Sequence, residues 1–193
     1  DLHRLNIKCP PKDRFMIQFQ QVSTKDAAYA FLEELLHESF PQEERRDDAL
    51  QRDYTDNSPF FYANVIKDGE EPIGLITYWK LDDILYVEHL AVSPLKRNGG
   101  YGAKVMSHLL QTAGAPVILE VELPETEMSR RRIGFYERCG FKLCLLPYRQ
   151  PPYRKGDDFL PMFIMYTGIE DIAASFERIK QLIYRHVYGV TEC

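Results

Sequence analysis

The residues best suited to chemistry lie in one run, Leu90-Ala91-Val92-Ser93-Pro94-Leu95-Lys96-Arg97-Asn98-Gly99-Gly100-Tyr101-Gly102. An apolar alternation ends there, glycines follow, and helical spacing resumes at Tyr101. Glycines admit positive φ and close approach, so successive backbone N–H groups converge on an anion. The N-terminus of the following helix adds partial positive charge at the same place. Lys96, Arg97 and Lys104 bring full charges to it. For the glycines alone, a tight strand-to-helix turn is the simpler reading by roughly two to one. No Gly-Lys-Ser/Thr follows and the spacing is not G-x-G-x-x-G, which removes support from nucleotide hydrolysis and hydride transfer.

The elements that position this run follow from hydrophobic periodicity. A strand is predicted over Phe15 to Val22. A capping-box pattern, Ser23-x-x-Asp26, precedes a helix with Ala28, Phe31, Leu32, Leu35, Leu36 and Phe40 on one face. Pro41 ends it and suits the first turn of a second helix carrying Glu43, Glu44, Arg45 and Arg46. Period two then gives Phe60 to Lys67, Pro72 to Leu81 and Ile84 to Val92, joined by Asp68-Gly69 and Asp82-Asp83 turns. Tyr101 to Ala113 is helical and closes at Gly114 and Pro116. Val117 to Leu123 is a strand with Glu120 and Glu122 sharing one face. Ser129 to Cys139 is a helix stopped by Gly140. Phe141 to Leu146 and Leu160 to Thr167 form a last strand pair around a loop over Pro147 to Asp158. Thr167-x-x-Glu170 is predicted to cap a final helix with the stripe Ile172, Phe176, Ile179, Ile183 and Val187.

The 193 residues correspond to one domain at about 150 residues each, with room for an appendage. Apolar residues at 45% and charged residues at 27% place the chain among globular proteins. The net charge of −5 argues against nucleic acid as a partner, since phosphate binding needs clustered positive charge. No apolar run reaches the roughly 18 residues that span a bilayer, and Asp1-Leu2-His3-Arg4 lacks the order of a signal peptide. Cys9, Cys139, Cys144 and Cys193 show neither C-x-x-C nor zinc-ligand spacing, which predicts reduced thiols, no metal and a cytoplasmic location.

Arg97-x-x-Gly100-x-Gly102 after Leu90-Ala91-Val92 resembles the pyrophosphate-binding signature of the GNAT superfamily of acetyl-CoA-dependent N-acetyltransferases. Phe135-Tyr136-Glu137-Arg138-Cys139-Gly140-Phe141 resembles the same family's tyrosine-bearing helix, and the element order agrees over about residues 15 to 167. The resemblance implies an α/β (α+β) fold: a mixed, mostly antiparallel sheet of about seven strands, splayed between the fourth and fifth, with helices on both faces. Residues 1–168 form the domain, and residues 169–193 a helical extension packed on it or against a second copy in a homodimer.

The resemblance further implies acetyl-CoA as co-substrate, its pantetheine lying along Leu90, Ala91 and Val92. The pyrophosphate would sit on the amides of Arg97, Asn98, Gly99, Gly100, Tyr101 and Gly102. Ser129 stands where the family often has an asparagine that contacts the cofactor. Amine acetylation needs a base for the ammonium proton and an acid for the departing thiolate. Glu88, two residues before Leu90, is the leading base, with Glu120 and Glu122 the alternatives or, equally, an exposed sheet face. Strand alternation turns His89 to the opposite face, as a packed histidine. Tyr136 is the acid. Cys139 is read as a packing residue. Arg130, Arg131 and Arg132 oppose the dipole of their helix and either offset Glu125 and Glu127 or meet cofactor phosphates or an acidic substrate. The expected function is direct acetyl transfer to a primary amine of a small molecule or peptide, and the alternative is a non-catalytic acyl-CoA-binding regulatory module.

Overall fold

A computed structural model describes residues 16–191. Asp1–Arg4, Phe15, Cys9 and Cys193 lie outside the described residues. The strands are β1 (Ile17–Gln21), β2 (Phe61–Asp68), β3 (Glu71–Leu81), β4 (Ile84–Val92), β5 (Val117–Glu122), β6 (Lys142–Gln150) and β7 (Leu160–Thr167). The helices are α1 (Tyr29–Ser39), α2 (Asp48–Asn57), α3 (Tyr101–Thr112), α4 (Glu127–Arg138) and α5 (Ile172–Val187). The strands form one sheet in the order β1-β2-β3-β4-β5-β7-β6. Every pairing is antiparallel except β4 with β5. No helix among the described residues is long and apolar enough to cross a membrane.

Side-chain alternation divides the core into two layers. On one face, Leu32, Leu35 and Leu36 of α1 and Phe176, Ile179 and Ile183 of α5 pack on Trp79, Tyr86 and Ile118. On the other, Val105, Met106 and Leu109 of α3 and Ile133 of α4 pack on Leu85, Val87 and Leu119. Burying each such side chain contributes about 1.5–3 kcal/mol. The α5 stripe is thus used on its own sheet, and this docking fixes the chain that follows it.

Four helix starts differ from those expected. Helix α1 begins at Tyr29 after Ala28, which makes no side-chain cap, and Asp26 instead accepts from the Ser23 N–H and hydroxyl in the turn before it. The second helix begins at Asp48, because Asp47 accepts the Leu50 N–H at 2.9 Å and supplies the cap. Asp171 caps α5 through the Ala174 N–H at 3.1 Å, in place of Thr167. Thr126 caps α4 in a reciprocal pair with Ser129, so the helix starts two residues before Ser129. Strand β6 also runs on to Gln150, past the expected end at Leu146. Its ladder with β7 breaks between Cys144 and Tyr148 and then resumes. Pro147, lacking an N–H, lies in that break.

Candidate active site

The parallel register of β4 and β5 covers only Leu85, Tyr86 and Val87 against Val117, Ile118 and Leu119. Beyond Val87, β4 continues to pair with β3 and β5 with β7, but β4 and β5 no longer pair with each other. The two strands therefore splay. Glu88, Leu90 and Val92 are partly exposed, yet the Glu88 side chain is wholly covered. At Glu88 the open surface is backbone. A strand edge with free N–H and C=O groups is what an extended, amide-bearing ligand pairs with.

Against β3, Thr77 faces His89 and Tyr78 faces Val87, so Glu88 is the extra residue of a β-bulge. The bulge corrects the expected alternation. Glu88 contacts Trp79 and Tyr153 while His89 packs edge-on against Phe40 and beside Tyr153, so both project to the α1 and α5 face. His89 Nε2 donates to the Glu44 carbonyl at 2.9 Å, and Nδ1 lies 3.3 Å from the Thr77 hydroxyl. Burial lowers its pKa. It is a neutral, packed histidine, as expected.

The Glu88 carboxylate holds three donors, one of them a cation. Oε1 accepts from Arg46 Nη2 and from the Tyr153 hydroxyl at 2.8 Å, and Oε2 accepts from Trp79 Nε1 at 2.9 Å. Burial pushes its pKa up, but Arg46 outweighs this and holds it below the ordinary value. Arg46, expected in the helix after Pro41, lies instead before α2 and is buried. Its guanidinium also bonds Gln51 at 2.7 Å and lies 5.1–5.6 Å from the rings of Tyr54, Phe61, Trp79 and Tyr153. Nothing in the sequence singles out this arginine among its charged neighbours.

Glu120 has the opposite surroundings. Far from lying on an exposed face, it accepts from the Tyr148 hydroxyl at Oε1, and from Gln150 Nε2 and the Tyr188 hydroxyl (2.8 Å) at Oε2. All three donors are neutral, and burial raises its pKa despite them. Two neighbouring carboxylates with pKa values pushed apart are the usual mark of divided acid–base roles. Both line a cavity of about 90 Å³ with Phe40, Tyr86, Tyr153 and Arg132. Glu122 lies 3.7 Å from Arg132 at its mouth, while Arg131 pairs with Glu127 at 2.6 Å as the sequence implied. The sequence offers Tyr148 only as one of several aromatic residues, with Phe40, Tyr62, Trp79 and Tyr86, that could wall an acceptor site. Tyr153 and Tyr188 were not assigned to the site.

On the opposite face, Tyr136 of α4 is half-buried with its ring edge-on to Phe135 and Phe141. Burial raises its phenol pKa while Arg132 draws it down, which keeps the hydroxyl protonated at neutral pH. Ser129 is buried, and its hydroxyl accepts from the Thr126 N–H at 3.0 Å and donates to the Thr126 carbonyl at 3.0 Å. It holds the start of α4. Cys139, at the end of that helix, is a free thiol whose pKa burial raises, the opposite of an activated nucleophile.

The glycine turn divides its work. Gly100, at φ +74°, caps α3 with no side-chain bond and no acidic residue in the first turn, so the helix presents free amides and an uncompensated positive end. An added Cβ there would meet nothing within 4 Å, so the space before these amides is open. At Gly102 a Cβ would lie 3.2 Å from the Phe135 ring, so this glycine serves the packing of α3 on α4. An open anion cradle beside a splayed, unpaired strand edge fits the pyrophosphate and amide-bearing arm of coenzyme A.

The sequence profile of the GNAT acetyltransferase family matches residues 27–141. The chain belongs to the GNAT family. A solved structure described as a putative acetyltransferase from the GNAT family of Bacteroides thetaiotaomicron is 48% identical to this GNAT protein, with a TM-score of 0.88 over 90% of this chain and 99% of the other. Among curated protein sequences none matches. More distant structures share the fold alone. A Bacillus subtilis acetyltransferase in complex with CoA is 15% identical with a TM-score of 0.56, covering 81% of this chain and 99% of its own. A chimeric spermidine N-acetyltransferase from Vibrio cholerae is 13% identical with a TM-score of 0.58, covering 78% of this chain and 94% of its own. This GNAT protein is an acetyltransferase enzyme, and the matches give no support to a non-catalytic module.

Proposed function

We propose that the enzyme transfers an acetyl group directly to the primary amine of a small cationic acceptor, which binds on the α1 and α5 face. The observation that carries this reading is the splay itself. It opens the sheet between a face that ends in an anion cradle and Tyr136 and a face that ends in Glu120. Acetyl-CoA, when bound, supplies the acetyl group as a thioester.

On this chain, the amides of Arg97, Asn98, Gly99, Gly100, Tyr101 and Gly102 bind the pyrophosphate, and the β5-facing edge of Leu90, Ala91 and Val92 pairs with the pantetheine. An N–H near Leu90 polarises the carbonyl. Glu120 accepts the proton of the acceptor's ammonium and passes it to solvent, and the freed nitrogen attacks. The second nitrogen proton leaves the tetrahedral adduct to Glu120 as the C–S bond breaks. Tyr136 gives its proton to the departing sulfur and recovers one from solvent. Glu88, the base expected from sequence, is ion-paired to Arg46, and this favours a role in fixing Tyr153 over proton transfer. Phe40, Tyr86 and Tyr153 wall the acceptor. The net charge of −5 draws in cations. Free thiols at Cys139 and Cys144 fit a cytoplasmic location.

A thiol-release assay with acetyl-CoA against a panel of monoamines, polyamines, amino acids and peptides tests the proposal. Turnover is expected on small cationic amines, and CoA binding with no turnover on any amine would refute it. In that assay Tyr136→Phe is expected to lower kcat by roughly ten- to a hundredfold at unchanged CoA affinity. A fully active Phe variant would reduce Tyr136 to packing. Gly100→Asp places a carboxylate before the cradle and should weaken CoA binding at least about tenfold in isothermal titration, with circular dichroism unchanged.

A further inference from the structure

The family match ends at residue 141, yet Tyr148, Gln150 and Tyr188, which hydrogen-bond Glu120 beside Tyr86 of β4, come from beyond it. Tyr148 and Gln150 belong to β6, which is built into the sheet. Tyr188 belongs to no strand. It is the residue at which α5 ends. Its position is nevertheless fixed. Gly189 turns the chain back at φ +67°, and the Val190 N–H bonds the Tyr184 carbonyl at 2.9 Å. Its ring centroid lies 5.1 Å from that of Tyr153. Because the Tyr188 hydrogen goes to Glu120 Oε2, the Tyr86 hydroxyl, 3.4 Å away, is the donor to Tyr188. A relay of two phenols thus ends on the carboxylate.

We propose that Tyr188 is a positioning residue that holds the Glu120 carboxylate in the orientation and ionisation state needed to accept the amine proton, making the C-terminal segment part of the acceptor site. The proposal rests on Glu120 being the proton acceptor. A carboxylate on a splayed strand needs a fixed direction if one oxygen is to face the amine. Tyr148 holds Oε1 by one bond, whereas Gln150 and Tyr188 together hold Oε2. Of a carboxylate's roughly four lone-pair sites, that leaves one on Oε1 for the acceptor.

The groups facing Glu120 are Tyr86 from β4, Tyr148 and Gln150 from β6, Tyr153 from the β6–β7 loop and Tyr188 after α5, with Glu44, Glu88, His89, Glu122 and Arg132 lining the same cavity. Donors to a carboxylate favour its ionised form, so removing one raises the pKa. The acid limb of activity then moves to higher pH.

The test is a carboxyl carbon NMR titration of protein labelled at glutamate, with the Glu120 signal assigned by its loss in Glu120→Gln. In Tyr188→Phe, which keeps the ring, the Glu120 midpoint is expected to rise by about one pH unit, a tenfold change in proton affinity. Glu88 should be unmoved and CoA affinity unchanged. Tyr188→Leu, which keeps an apolar wall, should repeat the shift, and the acid limb of kcat/KM for any amine turned over should follow it. A Glu120 midpoint unmoved in both variants, while Glu120→Gln is inactive, would overturn the role of Tyr188 alone. A fully active Glu120→Gln enzyme would overturn the reading of Glu120 and this proposal with it.

Discussion

Glu120→Gln is expected to reduce kcat/KM for the amine by about 10²–10⁴-fold, the usual cost of losing a positioned base. Glutamine matches the shape of the side chain but cannot take a proton, so cofactor affinity should be preserved. The deficit should shrink as pH rises, because free amine is then already present and needs no base. Wild-type activity should fall on the acid side at a pH above the ordinary carboxylate range, since burial raises the Glu120 pKa. The same shift has a stability counterpart. A carboxyl whose folded pKa is raised stabilises the protein below its unfolded value, and that contribution is lost as pH rises through the folded value. The variant should therefore flatten this part of the stability profile, read by denaturant unfolding at several pH values. Near-normal turnover in Glu120→Gln, with Glu88→Gln inactive but stably folded, would move the base to β4.

Arg46→Met is expected to destabilise the protein by about 3–5 kcal/mol, because it leaves the buried Glu88 carboxylate without its cation. Arg46 and Glu88 have side chains only 2% and 0% exposed, so solvent screening offers little relief. The double change Arg46→Met with Glu88→Leu should recover most of the loss, since apolar replacement of a whole buried pair is often close to neutral. Urea unfolding of the three proteins decides this. A small effect of Arg46→Met would show that the pair is not the anchor of the Trp79–Tyr153 corner. Glu88 titrates in the opposite sense to Glu120. Its lowered pKa stabilises the fold above the unfolded carboxyl value, and this is lost as pH falls through the folded value. Acid unfolding of wild type should accordingly be steeper than that of the double variant.

The sequence by itself determined what depends on neighbours along the chain. Period two set the strands, period 3.6 set the buried faces of α1, α3 and α5, and the left-handed Gly100 between a strand and a helix set the anion cradle. These are local consequences of backbone geometry, and they carried the family resemblance. The tertiary structure decided the chemistry of the carboxylates. Alternation placed Glu88 and His89 on opposite faces, but a bulge, which is a property of the β3–β4 pairing, put both on one. Pro147 read as a strand end, whereas β6 resumes beyond it because Tyr148, Arg149 and Gln150 find partners on β7. Glu120 and Glu88 are the same residue type on neighbouring strands. They differ because Arg46, 42 residues from Glu88 in sequence, reaches one, and a phenol 68 residues from Glu120 reaches the other. Proton affinity follows from which groups surround a carboxylate in space, and only the packed fold brings those groups together.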